Sequence, residues 1–440
     1  MTKDMTEGSI VRHLITYTIP LILGNLFQLT YNAVDSIIVG RFIGKEALAA
    51  VGTASPVMNI IILGISGICI GASVLMSGFF GAKQEDMVKK EMATTAVFGV
   101  YFSVIVVLLG ILVIKPLLRA LYVPEEILET AASYLRIIFL GAPFTFFYNA
   151  VASALKSVGD SKTPLKFLAF CSVLNGALDV VFIGGLHFGI ICSAVTTVAA
   201  EALSAVLCIV YVYRRIPLLW LKRGEFKVDR ELLRQTLQYG SVTALQQSCQ
   251  PIGKLLIQGA VNPMGVDVMA AFNAVNKIDA YAFTPEQSIS NAITTFVAQN
   301  SGAGKEERVR KGFRTGMFLE FFYWILICGT ILALRVPLME LFVGDAPDIV
   351  ASGAGYLGIM ALFYLFPGFT NGMQGYFRGK KHMKMTLLGT FIQTSLRVVF
   401  VYVLTPRIGL SGVAFACAAG WAMMLAVEVP YYFWMNRRRD

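Results

Sequence analysis

The sequence predicts an all-α polytopic membrane protein: twelve transmembrane helices in two pseudo-symmetric six-helix lobes. Composition is the first reason, because 56% of the 440 residues are hydrophobic, 15% are charged and the mean hydropathy is +0.67, too apolar for a soluble chain. The second is a set of about twelve apolar runs, each at roughly 20 residues or more long enough to cross about 30 Å of hydrocarbon. The third is an internal repeat at an offset of about 221 residues. GAKQE at 81–85 returns as GAGKE at 302–306, and FGIICSAV at 188–195 matches IGLSGVAF at 408–415. Six spans per half is an even number, so both halves cross in the same sense and form a parallel repeat about an axis along the membrane normal.

In chain order, residues 1–213 form the first lobe, 214–235 (RRIPLLWLKRGEFKVDRELLRQ) a charged connector, and 236–440 the second lobe. The start MTKDMTEGSIVRHL leads into a full-length span with no small-residue cleavage motif, so the first span is expected to stay. Of the 37 Lys and Arg, 27 fall in the termini and one alternate set of connections and 6 in the other set. That bias puts both termini and the connector in the cytoplasm, with the chain in the cell membrane, and reads the net charge of +10 as an orientation signal and not a nucleic-acid surface. The seven cysteines all lie in apolar spans without a CxxC pair and read as small core residues.

The chemistry centres on Cys171 to Gly185, CSVLNGALDVVFIGG, where Asn175 and Asp179 stand one helical turn apart on one face of an apolar helix. A carboxylate there costs a few kcal/mol on insertion scales, so it is normally turned inward and used. Asp35, in YNAVDSIIVG, is equally isolated, and the two acids are read as ends of one site. Across the spans seven acids (Asp35, Asp179, Glu201, Asp279, Glu286, Glu320, Glu428) face four bases, an excess that attracts cations or holds protons. Glu201, Glu320 and Glu428 read as packing groups, with Arg136 and Arg397 as available partners.

Prolines interrupt several spans, among them Pro20, Pro143 and Pro367, the last two in the fourth span of their halves. The seventh span carries a polar stripe, Gln246, Gln250, Lys254 and Gln258 at spacings of four, which must face protein or water and is expected to line a cavity. The eighth adds Phe272, Asn276, Lys277, Asp279, Tyr281, Phe283 and Glu286, with an ion pair from Lys254 or Lys277 to Asp279 as the structural reading. Phe27, Tyr31, Met58, Phe147 and Tyr148 complete the expected cavity, as aromatic and thioether groups suited to organic cations. P-loop, HExxH and GxSxG motifs are missing, and His13, His187 and His382 lack metal-ligand spacing, so the chain is not read as an enzyme or an ATP-driven pump.

Five stretches together resemble the multidrug and toxic compound extrusion (MATE) family over essentially the whole length: YNAVDSIIVGRFIG, GFFGAKQED, ALKSVGDSKTP, NGALDVVFIGG and TPEQSISNAITTFVAQNSGAGK. The resemblance implies a cation site at Asp35, Asn175, Asp179 and Thr197, open to Na+ or H+, and a first helix that bends about Pro20. It implies an antiporter exporting organic, cationic compounds, whose partners are those compounds and membrane lipid, as a monomer with no cofactor beyond the coupling ion. The second lobe departs from some branches: Gln246, Gln247, Gln250, Asn371 and Gln374 stand where those carry acids. A flippase for lipid-linked precursors, as in the wider superfamily, is the runner-up, and a receptor or channel-like binding protein the third reading. The excess of acids argues against the first, and the two-lobe repeat with midplane carboxylates against the second.

Overall fold

The computed structural model describes residues 2–437 apart from 43, 44, 122, 187 and 345, and for 35–41, 45–50 and 53 the backbone alone. Thirteen α-helices follow one another among the described residues: α1 (Ile10–Phe42), α2 (Lys45–Gly81), α3 (Glu85–Ala120), α4 (Glu125–Ser157), α5 (Lys162–Asp179), α6 (Ile190–Arg215), α7 (Arg230–Val261), α8 (Val266–Gly302), α9 (Glu306–Val343), α10 (Pro347–Phe363), α11 (Leu365–Gly379), α12 (Met383–Ile408) and α13 (Ser411–Arg437). Helices are what a lipid-embedded chain permits, because each backbone group must find its partner within the segment. The apolar outer faces fit that setting. On α3, Val100, Val104, Ile105, Leu108 and Leu112 are all exposed, Leu112 to 71%.

Nine described helices are long and apolar enough to cross a membrane, and α10 with α11, bent by 43° at their junction, makes a tenth. The remaining rods, α7 and α8, are 32 and 37 residues long, and what keeps them from passing is the polar face each carries. Twelve rods result, six on either side of the connector. Pro367 explains the α10–α11 junction: it lacks a donor, and its ring clashes with the carbonyl four residues back, that of Phe363, where α10 ends. Pro143, its counterpart in the first half, leaves α4 continuous.

The repeat recurs in backbone detail. The α2–α3 turn closes with hydrogen bonds from the amides of Ala82, Lys83 and Gln84 to the carbonyls of Gly78, Phe80 and Phe79. The α8–α9 turn closes with the same pattern, from Ala303, Gly304 and Lys305 to Gln299, Ser301 and Asn300. Both turns need a left-handed residue, Lys83 (φ 57°) in one and Gly304 (φ 70°) in the other.

By contact the chain forms two compact units, Met1–Met5 with Ile19–Ala244 and Thr6–Thr18 with Leu245–Asp440. Helix α1 changes units next to Pro20, and α7 changes at Leu245. In the first unit the start of α7 crosses α2 closely enough that a β-carbon on Gly240 would lie 2.7 Å from the Ile68 Cα, and the Thr236 hydroxyl donates to Glu91 at 2.6 Å. In the second, the start of α1 is held by Tyr17 to Thr295 (3.1 Å) and by Lys305 donating to the Thr6 carbonyl (2.9 Å).

Candidate functional site

Helix α5 carries Asn175 and Asp179 inward, 2% and 0% exposed. From α6 the Thr196 hydroxyl donates to Asp179 Oδ1 at 2.5 Å. Directly after Asp179 the helix widens into a π-helical segment, Val180–Gly185, the kind of irregularity that recurs at functional sites. The Asn175 Nδ2 has no hydrogen-bond partner among the described residues, and the Tyr31 ring lies against α5 at Gly176. This is a set of buried oxygens and one amide gathered around a carboxylate. The side chain of Asp35 lies outside the described residues.

Thr197, expected at this cluster, points elsewhere. A step of one residue turns a side chain by about 100° around a helix, and Thr196 is the one facing Asp179. Thr197 instead lines a largely apolar cavity with Met58, Ile61, Ile65, Phe139, Thr145 and Glu201. There the Thr145 hydroxyl donates to Glu201. Glu201 therefore has a hydroxyl partner and not Arg136, which faces Glu129 at 3.9 Å. Of the other aromatic residues expected to line a cavity in this unit, Phe27 is half-buried, Phe147 packs edge-on to Phe146 at 6.1 Å, and Tyr148 donates to the Pro164 carbonyl at 3.2 Å within a core of Val151, Leu155 and Cys208. Only Met58 of that group lines the cavity.

The second unit has its own cavity, lined by Lys254, Phe272, Asn276, Asp279, Phe283, Tyr356, Arg397 and Trp421 among others. Five of these were expected from sequence. Tyr356, Arg397 and Trp421 come from α10, α12 and α13, and no spacing in the sequence joins them to α8. Asp279 takes its hydrogen bond from the Tyr364 hydroxyl at the α10–α11 junction, and not from a lysine. Lys277 lies over the Phe342 ring instead, 5.8 Å from its centre.

The polar stripe of α7 divides. Gln246 is buried in an amide and hydroxyl network, donating to Gln374 at 2.7 Å and accepting from Thr386 at 3.2 Å, and Gln250 donates to Gln393 at 3.1 Å. Both amides therefore join α7 to α11 and α12 and leave only Lys254 on the cavity wall; Gln258 binds Asn262 on its own helix end. Tyr281 and Glu286 also stand outside that lining.

Two units with matching turns, each burying an aspartate beside a helix irregularity, call for comparison with known transporters. The MatE family model matches residues 20–181 and 243–403, one stretch in each half. The chain belongs to the MatE family. It is thus a transporter and not an enzyme. Relatives of this MatE chain include two from Bacillus subtilis (strain 168): Probable multidrug resistance protein YpnP is 29% identical, covering 98% of this chain and 96% of the relative, and Probable multidrug resistance protein YoeA is 28% identical, covering 100% and 97%. A structure described as the outward-facing conformation of a multidrug resistance MATE family transporter shares the fold at a TM-score of 0.91 and 22% identity, over 100% of this chain and 98% of that one.

Proposed function

We propose that this MatE protein is an ion-coupled antiporter that exports organic cations by alternating access, with both termini in the cytoplasm and the driving cation, H+ or Na+, taken at Asp179, Asn175 and Thr196 together with Asp35. The observation that carries the reading is the buried Asp179 with the Thr196 hydroxyl at 2.5 Å at the head of the π-helical segment. A charged side chain at membrane depth costs roughly 2.5–3.5 kcal/mol on insertion scales. A cation bound there cancels that cost, so occupancy has the energy to shift a conformational equilibrium of a few kcal/mol. Pro20, whose missing donor leaves α1 easily bent, sits where that helix passes from one compact unit to the other. The relatives named as multidrug resistance proteins support organic compounds as cargo.

The test is efflux of a fluorescent organic cation from membrane vesicles under proton and sodium gradients imposed separately. One gradient drives efflux in the wild type and neither does in Asp179→Asn; wild-type efflux by that variant contradicts the site.

A further inference from the structure

The second unit buries four acids in its spans, and they are not equally provided for. Asp279 accepts from Tyr364 and shares its cavity with Lys254 and Arg397. Glu428, on α13, has the guanidinium of Arg378 as its charged neighbour, although neither of its carboxyl oxygens has a hydrogen-bond partner among the described residues. Glu286 on α8 and Glu320 on α9 are each 1% exposed, and both Glu320 carboxyl oxygens are without a hydrogen-bond partner among the described residues. The two carboxyls converge. A β-carbon built on Gly368 of α11 would lie 3.6 Å from Glu320 Oε2 and 3.9 Å from Glu286 Cδ.

The groups facing the pair from the surrounding helices do not cancel two negative charges. On α8 the charge that acts on Glu286 is that of another acid, Asp279. On α9 Tyr323 stands near both, but its hydroxyl is spent on the Ala282 carbonyl at 2.8 Å. At the end of α10 Tyr364 donates to Asp279, and on α11 the Asn371 side-chain amide hydrogen-bonds Glu286, a neutral partner that leaves the charge unbalanced. The base on α11, Arg378, donates to Ser290 and to the Gln374 carbonyl, a turn beyond Glu286. Burying a charge with neither an opposite charge nor hydrogen bonds costs several kcal/mol. Two carboxyls brought to one point, with no base beside them and one neutral amide beside one of them, form a receptor for positive charge.

We propose that Glu286 and Glu320 are a second cation site, holding one small monovalent cation, a proton or a sodium ion, between two carboxyls inside the second lobe. Its place in transport rests on the antiporter reading above, whereas the binding itself can be read without transport. The site is distinct from the α7 and α11 positions that this chain fills with Gln246, Gln250 and Gln374.

Binding is measured on the full chain in detergent, in an Asp179→Asn background that removes the first-lobe carboxylate, comparing it with the same chain carrying Glu286→Gln and Glu320→Gln. One arm titrates radioactive sodium at fixed pH; the other counts protons taken up between about pH 5 and 8 without sodium, reading the pair as one unit. A sodium site gives saturable binding that weakens at least about tenfold in the double variant, and a proton site gives uptake smaller by about one per chain. Glutamine keeps shape and removes the charge, so the double variant is expected to unfold at or above the parent's temperature; if it does not fold, Glu320→Gln alone is read in the same two arms. Sodium binding and proton uptake both equal to the parent's overturn the proposal. If the pair behaves as described while Asp179→Asn still exports like the wild type, the antiporter site fails and this one stands.

Discussion

The two lobes bury their aspartates in parallel ways, and what surrounds each one differs. Asp179 accepts from a hydroxyl, Thr196, where α5 widens into its π-helical segment; Asp279 accepts from a hydroxyl, Tyr364, where Pro367 breaks the fourth rod of its half. Asp279, however, looks into a cavity walled by Lys254 and Arg397, so its charge is offset by the protein itself. Asp179 has an amide, Asn175, one turn away. An acid offset by fixed bases has little to gain from a mobile cation, and on that ground we propose that Asp179, with Thr196 and Asn175 beside it, is the acid that takes one. On this proposal resemblance of fold between the halves does not carry resemblance of role, and the bases decide which.

The sharpest way to break the comparison is to neutralise both acids. Asp179→Asn is expected to lower gradient-driven efflux about 100-fold, since losing roughly 2.7 kcal/mol matches the insertion-scale cost of one charge. Asp279→Asn, removing one member of an offset group, is expected to lower it less than about tenfold, measured in the same vesicles at equal protein level. A larger loss at Asp279 reverses the assignment of the lobes.

Removing the hydroxyls separates the roles further. Tyr364→Phe strips a buried carboxylate of its donor and is expected to cost about 1–3 kcal/mol of stability, seen as a lower unfolding temperature in detergent. Thr196→Val is expected to weaken cation binding by roughly tenfold, whereas Thr197→Val leaves it within about twofold. Equal effects at both threonines would show that neither hydroxyl is a ligand. The smallest expected effect is that of Pro20→Ala, which restores a backbone donor to α1 and stiffens it. Turnover slows by about a few-fold while equilibrium cation binding is unchanged, and slowed binding and turnover together would instead place Pro20 in the site.

Much of this was legible in the sequence, for identifiable reasons. Asn175 and Asp179 announce a shared face because i and i+4 coincide on any helix, and the paired turns at 81–85 and 302–306 fold alike because both put a left-handed residue at the same step. Thr197 came from the resemblance and not from spacing; the structure turns its neighbour Thr196 to Asp179, a contact between α5 and α6 that no periodicity within either helix announces. The Gln246 and Gln250 amides look like cavity walls in a stripe, yet α11 and α12 bring Gln374 and Gln393 to meet them. Glu286 and Glu320 lie 34 positions apart, so only the return of α9 along α8 brings them together. Such cross-helix partners leave no periodic trace.

The most direct test of the central claim records cation entry and substrate exit together in one population of vesicles holding purified protein. If the Asp179 cluster couples the two, wild-type protein moves them in a fixed ratio, and Asp179→Asn loses both while Asp279→Asn keeps the ratio at a lower rate. Undiminished, coupled exchange by Asp179→Asn would contradict the account.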